Sequence, residues 1–171
     1  MRSLTSHFKK VLVLLKKVTY RYIEVEDRIL MLAELDGGEP VVFWLTLRLS
    51  VRLVRELLSH LERMVPRSGL VDTGLMLACK QRDAEWRHEA SEPVLYSPSL
   101  FKVLPEKVGL AYSAQHAALM FQLGDGQVTQ LHMSLMELRQ WLAIMYRQFQ
   151  RAGWPMEVWP EWFTLSEGCR N

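Results

Sequence analysis

The feature that most constrains this chain is an echo within it. Leu35-Asp36-Gly37-Gly38-Glu39, running on to Thr46, returns 88 residues later as Leu123-Gly124-Asp125-Gly126-Gln127, running on to Ser134. Each stretch reads as an apolar strand, a Gly/Asp turn, a second strand, a Thr or Ser, and then a long amphipathic run. No gap is needed. Arg28 falls on His116, Trp44 on His132, Thr46 on Ser134, Leu53 on Trp141 and Leu57 on Met145. Such a chain is expected to fold as α+β. We expect an internal duplication of a three- or four-stranded antiparallel sheet followed by a helix. A pseudo-twofold relates the copies, and the helices pack on the apolar sheet faces. The copies divide at 1–88 and 89–171 and share one globular unit, which suits a length of 171 residues.

Strand register follows from which residues must share a face. Lys17 to Val25 is rich in Val, Thr, Tyr and Ile and reads as a strand. Glu26-Asp27 is expected to be a two-residue turn, Arg28 to Leu35 the next strand and Val41 to Thr46 a third. With a three-residue Asp36-Gly37-Gly38 loop, Met31 faces Phe43, Ile29 faces Leu45 and Ala33 faces Val41. Val18, Tyr20 and Tyr22 join that apolar face. Lys17, Thr19, Arg21, Ile23, Arg28, Leu30, Leu32, Glu34, Val42 and Trp44 take the other. The same rule in the second copy segregates Leu119, Phe121 and Leu131 from His116, Gln122, Gln130 and His132. Residues 8–15 read equally as strand or short helix, and Ser99 to Leu104, which match residues 11 to 16, as a short strand.

Thr46 is expected to cap a helix over 47–64, with Val51, Val54, Leu57, Leu58, Leu61 and Val65 inward. Ser134-Leu135-Met136-Glu137 is a capping box and starts the matching helix, which Gly153 ends. Its inward stripe is Leu138, Leu142, Met145, Tyr146 and Phe149. A further helix lies within 70–90, capped by Asp72, with Leu75, Cys79 and Trp86 on one side. Pro93 and Pro98 mark the linker, and the aromatic tail from Trp154 to Phe163 is expected to pack across the body.

No catalytic or metal motif stands out. His116 and His132 share a predicted face but have no third ligand. Cys79 with His60 or His88 lacks any nucleophile context, and the two cysteines suit a reducing cytoplasm. The Gly turns precede strands, so they read as hairpins and not as phosphate cradles. The apolar run Val11 to Leu15 is too short for a signal core or a membrane span, so the expected setting is cytoplasmic. We expect no cofactor and no bound metal.

The net charge of +2 hides an asymmetry: residues 1–88 hold 15 Lys/Arg against 11 Asp/Glu, and residues 89–171 hold 6 against 8. The first copy therefore carries the candidate binding residues. Lys17, Arg21 and Arg28 surround Trp44 on one sheet face, an arrangement that suits single-stranded nucleic acid. Arg48, Arg52 and Arg55 stripe the first long helix and suit an acidic partner. The face of Leu30, Leu32, Val42 and Trp44 is too apolar to lie open to water, so protein should cover it.

The twice-repeated four-strand-plus-helix arrangement resembles, in topology alone, the Whirly-type single-strand-binding fold. That resemblance implies nucleic-acid binding. The residues themselves favour a non-enzymatic binding or assembly protein acting through protein contacts, including contacts with a second copy of itself. The alternatives are a single-stranded nucleic-acid binder using the first copy, and a small-molecule or enzymatic site between the copies.

Overall fold

The longest strand of the molecule, Leu12–Ile23 (β1), joins its two halves. The computed structural model describes residues 12–36, 40–66, 69, 72–124 and 126–165. After β1 come β2 (Arg28–Leu35), β3 (Pro40–Thr46), α1 (Leu47–Arg63), α2 (Thr73–Trp86) and β4 (Lys102–Val103). The chain continues with β5 (Lys107–Tyr112), β6 (His116–Gln122), β7 (Val128–Ser134), α3 (Leu135–Ala152) and α4 (Glu161–Leu165). The protein is α+β. Among the described residues the strands form one mixed sheet in the order β4-β3-β2-β1-β7-β6-β5.

The expected pair of small antiparallel sheets is thus corrected to one larger sheet. The cause is the length of β1. Its start pairs in parallel with β7, with Leu14 opposite Gln130. An irregularity between Leu15 and Lys17 then passes the strand to β2, which it pairs in antiparallel fashion. Residues 12–16 are therefore not a separate strand. A second parallel joint sets Lys102 of β4 opposite Val42 of β3. Of the expected strand from Ser99 to Leu104, only Lys102–Val103 forms.

The inner hairpins follow the predicted register. Met31 faces Phe43 and Ile29 faces Leu45, while Leu119 faces Leu131 and Ala117 faces Met133. The second outer hairpin follows it too, with Tyr112 opposite Ala117, and only the first departs. A 3-10 turn over Glu24–Glu26, followed by Asp27 at φ 46°, replaces the two-residue Glu26-Asp27 turn. Tyr20 consequently faces Met31, whereas Val108, 88 residues on, faces Phe121 and not Leu119. The faces survive because a shift of two residues preserves the alternation of a strand. Residues 37–39 of the first Gly turn, and residues 8–11, lie outside the described set.

The sheet curls until Phe43 of β3 and Phe121 of β6 meet, with ring centroids 5.2 Å apart. One apolar core runs through both halves and takes in the inward stripes of α1 and α3. The two helices begin differently. Thr46 Oγ1 accepts from Leu49 N at 3.3 Å, while Ser134 and Glu137 form a complete capping box. The tail folds back as expected: Trp154, Trp159, Trp162 and Phe163 are buried. Their ring nitrogens help to anchor it. Trp154 Nε1 donates to Asp27 Oδ1 at 2.8 Å, and Trp162 Nε1 donates to Glu62 Oε1 at 2.9 Å.

Helix α2 keeps Leu75, Cys79 and Trp86 on one side, and turns that side outward. Leu75, Cys79 and Trp86 are exposed, whereas Leu77, Ala78, Gln81 and Ala84 are buried. The apolar residues of α2 are spread round the helix, so periodicity could not choose a face. Polar bonds to α3 chose it: Gln81 Nε2 donates to the Arg139 carbonyl and Gln140 Nε2 to the Ala84 carbonyl, each at 2.9 Å.

Candidate functional site

The apolar outer face of the first half is closed by the chain itself. Leu30, Leu32 and Val42 are buried there, with Ile23, Trp44, Val94 and Leu100 packed against them. The linker is stitched down by backbone donors. Val94 N donates to Thr19 Oγ1, and Val42 N donates to the Phe101 carbonyl, both at 3.0 Å. Trp44 is therefore a packing residue at the edge of a small second core.

The seven predicted binding residues separate into distinct places. Lys17 lines a cleft of about 240 Å³ where β1 parts from β7, together with His88, His132 and Trp141. Arg21 is exposed on β1, opposite Leu30. Arg28, Arg48, Arg52 and Arg55 converge. With Asp27, Thr46, Leu47 and Val51 they line an open groove of about 540 Å³. The groove lies where β2 begins, β3 ends and α1 begins.

Its construction follows from local rules. Arg28 opens β2 directly opposite Thr46, the last residue of β3 and the cap of α1. Arg48, Arg52 and Arg55 then recur at intervals of four and three along one face of the helix. Leu47 and Val51 supply an apolar floor. Among the described residues the ion pairs are Lys16–Asp36 and Asp83–Arg87. None of the four groove arginines takes part. Asp27, the one acid in the wall, is already committed: its Oδ1 accepts from Tyr22 Oη at 2.9 Å and from Trp154 Nε1. Those bonds hold its carboxyl below the usual carboxylate range. The first turn of α1 contains no acid, so the positive end of the helix adds to the arginines.

Such a groove can bind anions. Planar guanidinium groups make paired, charge-assisted hydrogen bonds to carboxylates or phosphates. Among the described residues no aromatic ring lines it, so they offer no platform for base stacking there. His116 and His132 are both exposed on the outer sheet face, and no cluster of three or more His, Cys, Asp or Glu suited to a metal occurs among the described residues. Likewise, no helix among the described residues is long and apolar enough to cross a membrane.

Sequence reasoning missed one residue of chemical interest, Arg139. It is 7% exposed on α3, and its Nη1 has no hydrogen-bond partner. A signal was present: Leu135, Leu142 and Ala143 flank it at helical spacing on one face.

The chain matches no family model, no curated protein and no solved structure. The topological resemblance to the Whirly-type fold therefore rests on element order alone.

Proposed function

We propose that this protein is a non-enzymatic binding or assembly module of the cytoplasm, and that the arginine groove on α1 takes an acidic segment of a protein partner. The observation that carries the reading is four unpaired arginines converging on a groove with an apolar floor. An acidic, amphipathic helix is the occupant that fits. Its carboxylates would meet Arg28, Arg48, Arg52 and Arg55, and its apolar side chains would meet Leu47 and Val51.

This proposal treats residues 17–64 and 105–152 as two copies of one unit related by a pseudo-twofold. Two sets of pairings support that. Arg28–Thr46 and His116–Ser134 are equivalent pairs under the offset of 88 residues. The parallel joints correspond as well, since Leu14–Gln130 becomes Lys102–Val42. On this relation the groove face of α1 answers to the face of α3 bearing Met136, Arg139, Gln140 and Ala143. Helix α2 packs on that face of α3. The molecule thus carries an internal example of a helix seated where the groove lies open.

Fluorescence anisotropy tests the reading with two probes. One is a labelled helical peptide presenting Glu and Leu on one face, and the other is a single-stranded oligonucleotide. We expect salt-sensitive binding of the peptide that the double variant Arg52→Glu/Arg55→Glu abolishes. Oligonucleotide binding without peptide binding would reverse the assignment in favour of nucleic acid. Peptide binding unchanged in the double variant would remove the groove from the function. Sedimentation of the unmodified chain shows whether a second copy supplies the acidic segment.

A further inference from the structure

A second cavity, separate from the arginine groove, lies where three helices meet. Its volume is about 240 Å³, and its walls come from the end of α1, the middle of α2 and the first turns of α3. The lining is mainly apolar: Leu61, Met64, Val65, Ala84, Leu135 and Met136. Lys80 and Asp83 stand at it from α2 and are exposed to solvent. Asp83 is held by Arg87, its Oδ1 accepting from Arg87 Nε at 3.0 Å. Arg139 completes the wall.

Arg139 is out of place in such a wall. More than nine-tenths of its surface is buried, and Nη1 finds no acceptor. No ion pair reaches it among the described residues. Burial alone draws the guanidinium down to about 10 from its ordinary 12.5, with no carboxylate acting on it. Buried charge without a partner carries a large desolvation cost, and apolar replacement of such groups often stabilises a fold. The backbone of Arg139 does have a structural task, since its carbonyl accepts from Gln81 Nε2. Any residue at position 139 would supply that carbonyl. The guanidinium is therefore not explained by packing.

From the cavity, its apolar lining and the buried, unpartnered Nη1 of Arg139 we infer a binding site for a small monocarboxylate on a short aliphatic stem. The carboxylate would occupy the acceptor position that Arg139 lacks, and the stem would lie against Leu61, Val65, Leu135 and Met136. The volume sits below the usual range for drug-sized ligands, which points to a small molecule or a single terminal residue. Two sources offer this chemistry: a free short-chain fatty acid, and the C-terminal carboxylate of a peptide ending in an aliphatic residue.

Calorimetric titration of the full chain decides the matter, using hexanoate, hexanol, acetyl-alanyl-leucine and its C-terminal amide as probes. We expect hexanoate or the free-acid peptide to bind at least about tenfold more tightly than its uncharged counterpart, as a charge-assisted bond requires. Arg139→Met should abolish that preference while leaving the circular dichroism spectrum unchanged. A second variant, Ala84→Leu, fills the cavity from α2 without touching the charge and should prevent binding. Preference for hexanoate identifies a free acid, and preference for the peptide acid identifies a chain end. If no probe binds the unmodified chain, the site is overturned. It is equally overturned if acid and neutral probes bind alike, or if Arg139→Met keeps the preference.

Discussion

Two helix faces that lie 88 residues apart in the sequence, one on α1 and one on α3, are treated in opposite ways. On α3, Arg139, Gln140 and Ala143 are covered by α2, and polar bonds between Gln81 and Arg139 and between Gln140 and Ala84 lock the contact. On α1, the residues 88 earlier are Val51, Arg52 and Arg55, and they face an open groove. The helix starts differ in the same sense. Glu137 sits in the first turn of α3 and closes a capping box, while α1 starts with Arg48 and no acid. The covered face presents small and uncharged polar residues to α2 apart from Arg139, whose side chain borders the cavity between the helices. A face loaded with unpaired arginine favours exposure until an anion arrives, because desolvating lone guanidinium groups is expensive.

The severest test of the comparison asks whether the halves fold together. Phe43 and Phe121 are each fully buried and touch across the curled sheet. Phe43→Ala and Phe121→Ala should each cost about 3–5 kcal/mol. Each should shift a single urea transition. Two separate transitions would mean that the shared core does not couple the halves.

The covered and open faces should respond unequally to truncation. Gln81→Leu removes the side-chain bond to the Arg139 carbonyl, which keeps its helical donor, and should cost about 0.5–1.5 kcal/mol. Arg55→Ala on the open face should change stability by no more than about 0.5 kcal/mol. Equal costs in denaturant melts would show that the groove arginines are structural.

Next come the caps. Ser134→Ala and Thr46→Ala should each cost about 0.5–2 kcal/mol, with Ser134 the larger because Glu137 loses its reciprocal partner too. Arg48→Glu should do the reverse and stabilise the protein by about 0.3–1 kcal/mol, since an acid complements the positive helix end. The same variant should weaken capture of the acidic peptide. A gain in stability coupled to loss of binding would mark Arg48 as retained for a ligand. Loss of stability instead would show that Arg48 already has a structural partner.

The smallest effect concerns pH. His60 of α1 stacks on Tyr112, with ring centroids 3.9 Å apart, and its Nε2 is buried without a partner. Burial, aided by the Arg63 charge, lowers its pKa below the ordinary 6.5. The unfolded chain therefore takes up the proton first, and stability falls as pH drops below about 6.5. Above that value both states are neutral and His60 contributes no slope. Gln148, 88 residues on, does not titrate; its Oε1 accepts from Tyr22 N at 2.8 Å. Replacing His60 by Phe should flatten this part of the pH profile, and an unchanged slope would assign the loss to other groups.

Much of this was written in local sequence. The pairings Met31–Phe43 and Leu119–Leu131, the caps Thr46, Ser134 and Asp72, and the inward stripes of α1 and α3 all follow from period, turn chemistry and hydrogen-bond needs close along the chain. Convergence of Arg48, Arg52 and Arg55 was equally visible, because helical spacing alone puts them on one face. What lay beyond the sequence depended on contacts between distant segments. The choice of β1 to pair with both β2 and β7 arose from where the two halves meet, since an extended strand accepts partners on either edge. The inward face of α2 was settled by Gln81 and Gln140, because its apolar residues favour no side. Covering of the Leu30–Val42 face by Val94 and Leu100 required the linker to fold back, which its composition does not encode. The isolation of Arg139 is the clearest case: only three helices packed together can take a guanidinium from water and leave a cavity beside it.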